Sequence, residues 1–173
     1  MRWTLAVGAA LMLAGCVTTT VDKQPLSAEA PLKDKGGKQV GSATLIQTPE
    51  GVRIAITGYR LPPGPHGLHI HAVGVCQPPE FTSAGAHFNP GGKKHGLQSA
   101  NGPHAGDLPN LVVAANGEGG IDIASTLVTL GPGPNSLFVD SGTSIVIHAA
   151  GDDLKTDPTG NSGGRIACGV IIR

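Results

Sequence analysis

What most restricts the folding of this chain is how often it is interrupted. It carries 27 glycines and 14 prolines in 173 residues, about a quarter of all positions against roughly 12% in an average protein. Between these breakers the apolar residues come in short runs rich in Val, Ile and Thr, with no long segment of helical period. Coiled coils, long helical bundles and helical membrane-spanning proteins are excluded on that pattern. Seven runs read as strands: 40–48 and 51–60, joined as a hairpin by Thr48-Pro49-Glu50-Gly51, then 68–73, 111–115, 120–127, 143–148 and 165–172. Each is bounded by Gly, Pro, Asn or Asp, the residues that turn a backbone. Seven or eight strands of this length predict an all-β domain, an antiparallel Greek-key sandwich or barrel. Two stretches, 76–110 and 149–164, carry no strand pattern. Loops that long in a compact domain are uncommon and usually functional. No fixed-period repeat is present. Twelve basic and twelve acidic side chains leave no net charge, which excludes non-specific nucleic-acid binding.

The chain opens with Arg2, an apolar run from Trp3 to Leu13, and Leu13-Ala14-Gly15-Cys16. The run is too short for a stable membrane span and reads as an export signal. Its end resembles the bacterial lipoprotein signal, in which the cysteine is lipidated and becomes the first mature residue. That implies a signal peptide over 1–15, a lipid on Cys16, and a protein anchored to the cell envelope on its periplasmic or extracytoplasmic side. The other reading is an ordinary cleaved signal with an incidental cysteine. Residues 17–38 carry much Thr, Lys, Asp, Gln, Pro and Gly with no sustained period, and 16–38 are expected to form a flexible tether from Cys16 to a domain at 39–173. The remaining cysteines, Cys76 and Cys168, are an even number in an exported chain, which implies one disulfide. Closing a loop of about ninety residues contributes on the order of 4–5 kcal/mol in the chain-entropy model. Two free buried thiols are the alternative.

Seven histidines stand at 66, 69, 71, 87, 95, 104 and 148. His69 and His71 are two apart on a strand, so both rings leave one face and can hold one ion. His148 ends the run Ser144-Ile145-Val146-Ile147-His148 and joins them if the two strands are neighbours. A second group, His87, His95, His104 and Asp107, is spread through a loop rich in Gly, Asn and Pro. Such a segment cannot order itself by burial, and a metal clip would supply the missing energy. Imidazoles with one carboxylate and no thiolate suit zinc and copper, and an all-nitrogen site favours Cu(II). Calcium and magnesium prefer oxygen donors. Neither HExxH nor CxxC occurs. A single histidine is ordinarily just a satisfied polar residue, but six with an aspartate in so small a chain are not. His66, in Pro65-His66-Gly67, is expected to have a structural hydrogen-bonding role.

Several stretches together resemble the copper-zinc superoxide dismutases: Gly64-Pro65-His66-Gly67-Leu68-His69-Ile70-His71, Thr82-Ser83-Ala84-Gly85-Ala86-His87-Phe88-Asn89-Pro90, Lys94-His95-Gly96, His104-Ala105-Gly106-Asp107-Leu108, Val146-Ile147-His148, and Gly160-Asn161-Ser162-Gly163-Gly164-Arg165-Ile166-Ala167-Cys168-Gly169-Val170. The resemblance spans 39–173. It implies copper on His69, His71, His87 and His148, zinc on His87, His95, His104 and Asp107, and His87 shared between them. Spacing alone finds the two groups and not the bridge. The resemblance also implies that Asp152 links a copper histidine, His69, to a zinc histidine, His95, that Arg165 attracts and orients an anionic substrate, and that Thr159 narrows the same entrance. The implied reaction is disproportionation of superoxide by a redox copper, with His87 leaving copper on reduction and taking a proton. This family is itself a known example of the β-sandwich and of electrostatic steering, so neither trait is independent support. The chain departs from the family in the inserted residues 77–81, and in 149–164, which is shorter than in the animal enzymes and has Pro158 where those carry a steering lysine. Lys93 and Lys94 either share the steering or are a solvated pair. The competing class is an exported lipoprotein that binds or delivers copper or zinc without turnover, for which neither Arg165 nor a shared His87 is needed. A zinc hydrolase would need an open zinc position and a general base. Monomer and homodimer both remain compatible.

Overall fold

Alternation is what turns these runs into a sheet. In the computed structural model, which describes residues 24–173, Val52, Ile54 and Ile56 of β3 (Gly51–Gly58) are buried while Arg53 and Thr57 face solvent and Ala55 is half-buried. β3 pairs antiparallel with β2 (Gln39–Thr48) in the expected hairpin, from Gly41↔Gly58 to Thr48↔Gly51. The signal peptide expected over 1–15, the lipid expected on Cys16 and the first residues of the expected tether lie outside the described residues.

The strands are β1 (Ser27–Asp34), β2, β3, β4 (Gly64–His66), β5 (Leu68–His71), β6 (Leu111–Val113), β7 (Gly119–Ser125), β8 (Ser144–His148) and β9 (Arg165–Val170). They form one antiparallel sheet in the order β4-β6-β7-β3-β2-β1-β9-β8-β5. Its two edges, β4 and β5, are consecutive in sequence, so the chain steps from one edge to the other at Gly67 and all but closes a barrel. The Gly67 N–H donates to the Ala150 carbonyl and its own carbonyl accepts from the His148 N–H, each at 2.8 Å. The connection from β3 to β4 passes over β7 and β6, the kind of crossing a Greek key requires. Leu32, Leu45, Ile54, Ile70 and Ile145 fill the interior with no exposed surface, each contributing about 1.5–3 kcal/mol of burial. The only helical element among the described residues is a 3₁₀ turn at Thr82–Ala84.

The tether expected over 16–38 is overturned from Ser27 onward. β1 lies inside the sheet between β2 and β9, with Ala28, Ala30 and Leu32 buried. Two of its three inward residues are alanines and its period of two is carried by only those three, so polar composition conceals it. Pro31 argues further against a central strand, because it has no N–H to give. The structure accommodates it where the β9 ladder is open, between the Glu29↔Ile172 bridge and the Lys33↔Cys168 pair. β4 is the other unexpected strand, only three residues long.

Cys76 and Cys168 are bonded, with Cα atoms 5.7 Å apart across 92 residues of sequence. The disulfide ties the first long loop to β9 and packs with Phe81, Ala84 and Val146 into a second apolar cluster beneath that loop. The alternative of two free thiols is thereby removed.

Candidate metal centre

Strand periodicity and register deliver the first group of histidines. His69 and His71 project from the same face of β5, both fully buried. β5 pairs with β8 so that Leu68 faces Ile147, which sets His148, the next residue, beside the two rings. The far edge of β5 is taken by the loop 76–110, which returns in two short bridges, His71↔His87 and His69↔Asp107. Backbone bonds Phe88 N–H to Ile70 O and Ile70 N–H to Gly106 O, both 2.8 Å, hold it there. Gly106 is required at that contact, since a Cβ would stand 2.2 Å from the Ile70 carbonyl oxygen. His87 is thus carried to β5 by a loop that, against the expectation from its composition, also buries Phe81, Ala84, Phe88 and Leu108.

The rings converge. Centroids of His69 and His87 are 3.9 Å apart, those of His69 and His148 4.8 Å, and those of His71 and His87 5.0 Å. One nitrogen of each outer ring is engaged elsewhere: His69 Nε2 on Asp152 Oδ2 at 2.7 Å, His71 Nδ1 on the Gly85 carbonyl at 2.9 Å, and His148 Nδ1 on the Gly163 carbonyl at 3.1 Å. His69 Nδ1, His71 Nε2 and His148 Nε2 are left for the shared centre, the last two 3.4 Å apart. Two buried atoms, His69 Nδ1 and His87 Nε2, have no hydrogen-bond partner. An orphaned buried polar atom costs about 1–3 kcal/mol, and both of these belong to the same four-histidine set. A cation accepting their lone pairs would remove that penalty.

The second group centres on Asp107 Oδ1, which lies 3.0 Å from His87 Nδ1, 3.0 Å from His95 Nδ1 and 3.3 Å from His104 Nδ1. His104 Nδ1 is 3.4 Å from His87 Nδ1. Donors bound tetrahedrally to one zinc at its usual bond lengths stand about 3.3 Å from one another, so these are the separations of a ligand set. His69 also lies close to His87, His95 and Asp107. His104 is the better fourth donor, because its Nδ1 is close to the others while His69 Nε2 is held by Asp152. The two nitrogens of His87 therefore point into different groups, Nδ1 into this one and Nε2 into the first.

Electrostatics prepares both sets to bind cations. Burial lowers His69 to a pKa of about 4, His71 to about 2 and His148 to about 3, so these rings are neutral at physiological pH, as ligands must be. For Asp107 burial pushes the pKa up, but bonds from His87 and the Gly96 N–H outweigh it and bring the carboxyl down to about 2. Asp152 is likewise about 2, burial being overcome by His69 and His95. Its carboxylate spans the two groups, 2.7 Å from His69 Nε2 and 3.1 Å from His95 Nε2.

A cleft of roughly 550 Å³ opens over His71, His87 and His148, and Thr159 and Arg165 line it. The Arg165 guanidinium donates to the carbonyls of Phe81 and Gly85. Burial lowers its pKa, from so high a start that it stays cationic. Lys94 does not line the cleft, and its Nζ is 2.8 Å from Asp157 in an exposed pair. His66 has the structural place expected of it: its ring nitrogens each reach a carbonyl oxygen, of Pro62 and of His148, at 2.7 Å.

Several contributors have no signal in the sequence. The Asn110 side chain pairs with the backbone of Asp152 in both directions, at 2.8 and 2.9 Å, and so aims the carboxylate that spans the groups. Gly160 packs against the same carboxylate, where a Cβ would stand 1.8 Å from Asp152 Oδ1. Backbone carbonyls that hold Arg165 and an asparagine that ends a loop look like ordinary loop chemistry until the loops meet.

Residues 39–171 match the family model described as copper/zinc superoxide dismutase. The chain is 49% identical over 150 residues to "Superoxide dismutase [Cu-Zn] 2" of Aquifex aeolicus, covering 86% of this chain and 88% of that one. It is 41% identical over 170 residues to "Superoxide dismutase [Cu-Zn]" of Caulobacter vibrioides, covering 96% and 98% respectively. A crystal structure of a double mutant of a SOD-like protein from Bacillus subtilis superposes with a TM-score of 0.81 at 39% identity, over 84% of this chain and 97% of that one.

Proposed function

The chain belongs to the copper/zinc superoxide dismutase family, and on that footing we propose how its residues divide the work. The activity is disproportionation: two superoxide ions and two protons give dioxygen and hydrogen peroxide. Copper, when bound, supplies the one-electron exchange, and zinc supplies a fixed charge and shape without redox change. His69 Nδ1, His71 Nε2, His87 Nε2 and His148 Nε2 would hold the copper; His87, His95 and His104 through Nδ1, with Asp107 Oδ1, would hold the zinc. Asp152 keeps the Nε2 atoms of His69 and His95 engaged, so that each presents Nδ1 alone. His87 Nε2, buried at the floor of the cleft, is placed to carry a proton toward the reduced substrate while Nδ1 stays with Asp107. Arg165 draws the anion in and orients it, and Thr159 narrows the way. The observation that carries this reading is the single His87 ring with one nitrogen in each donor set. A binding or delivery protein has no use for that ring or for a cation in the cleft. Loaded with one copper and one zinc per chain, the protein is expected to remove superoxide in a cytochrome competition assay. Failure of the fully loaded protein would reduce it to a metal-binding scaffold.

The same reading places the domain outside the cytoplasmic membrane, carried by a lipid on Cys16 through the residues that precede β1. Support comes from Leu13-Ala14-Gly15-Cys16 following an apolar run and from the disulfide, which suits an oxidising compartment. Cys16→Ser is expected to move the protein from the membrane fraction to the soluble one, and persistence in the membrane would remove the anchor.

A further inference from the structure

The loop that supplies His95 and His104 is fastened from outside by a residue of the other long loop, one that no ligand motif includes. We propose that Asp157 is a positioning residue for the zinc set, holding the His95 backbone and presenting a carboxylate to the outer face of the His104 ring. This rests on zinc occupying His87, His95, His104 and Asp107. Asp157 Oδ1 accepts the His95 N–H at 2.8 Å and lies 3.9 Å from His104 Nε2, the ring nitrogen that faces away from Asp107. Oδ2 accepts from Lys94 Nζ at 2.8 Å. His95 is consequently gripped twice by the 149–164 loop, at its ring by Asp152 and at its backbone by Asp157.

Physical need points the same way. A histidine that ligates a metal through one nitrogen commonly gives its other N–H to a carboxylate or carbonyl, which fixes the ring and raises its basicity. His95 has Asp152 for this purpose. His104 has no hydrogen bond from Nε2 among the described residues, and Asp157 is the carboxylate in ion-pair range of it. Its two oxygens accept from Lys94 Nζ and the His95 N–H, the bonding of a carboxylate anion. The Lys94 contact is not where its importance lies. Both side chains are exposed, 64% for Lys94 and 37% for Asp157, and exposed ion pairs contribute little.

The test uses fully metal-loaded protein and measures zinc transfer to an excess of a chromophoric chelator. Asp157→Ala is expected to speed release about 10- to 100-fold, the range typical when a group that orients a ligand is removed. Asp157→Asn keeps an oxygen for the His95 N–H but no charge toward His104, and its rate should fall between. Lys94→Met should release zinc at the wild-type rate. Cobalt(II) in the zinc set gives a second readout, a visible spectrum that shifts in both Asp157 variants and not in Lys94→Met. Wild-type release from Asp157→Ala, or an equal effect of Lys94→Met, would overturn the proposal. Wild-type protein that takes up no zinc would instead sink the zinc assignment beneath it.

Discussion

His148→Ala is expected to abolish superoxide removal while the protein keeps its zinc. The substitution deletes one of four nitrogens converging on the first centre. Of the second set it approaches only the shared ring of His87, whose centroid is 6.1 Å from that of His148, and it leaves His95, His104 and Asp107 untouched. The backbone survives, because the bonds of the His148 N–H to Gly67 and of its carbonyl to His66 are main-chain features that alanine retains. The loss should exceed the ~10–100-fold that follows removal of a group that only orients a ligand, because a donor itself is gone. Metal content by mass spectrometry and superoxide removal are read on the same sample. Normal turnover would overturn the copper ligand set, and loss of zinc along with copper would show that the two groups are not separable as drawn.

Arg165→Glu is expected to slow the reaction and to change the sign of its response to salt. The guanidinium is held on the carbonyls of Phe81 and Gly85 beside His71 and His148, so the substitution replaces a fixed cation with an anion at the entrance. Steering of charged ligands, of which superoxide dismutases are themselves a known example, changes association rates by roughly 10- to 10³-fold in general. Wild-type turnover should fall as ionic strength rises from about 0.01 to 0.1 M, over which the screening length shrinks from about 30 to 10 Å. The variant should be flat or rise. Rate constants for the second-order reaction across that series decide it, and an unchanged salt profile would remove Arg165 from the steering role.

Much of this site is readable before folding because it is built on strands. His69 and His71 share a face by the two-residue period, and Val146-Ile147-His148 reads as a buried strand ending in a ligand. The loop histidines are legible as a group through composition, three imidazoles and an acid in a stretch rich in Gly, Asn and Pro, although Phe81, Phe88 and Leu108 of that stretch are buried and help to order it. β1 was hidden for the opposite reason. Three small or medium apolar residues among Ser, Glu, Pro, Lys and Asp are too few to outweigh the look of a tether, and only β2 and β9 on either side make that pattern worth burying.

The sequence by itself determined which side chains could serve, which faces of β5 and β8 would carry them, and that Cys76 and Cys168 were available to each other. These are local matters, set by alternation, breakers and residue chemistry within a few positions. Tertiary structure alone decided that His87 has one nitrogen in each set, that Asp152 reaches both, that Asn110 aims it, and that Asp157 of one loop fastens the other. Those contacts join residues 20 to 83 positions apart, and their distances depend on barrel closure at Gly67 and on where two long loops come to rest. Neither is encoded in any short stretch of chain.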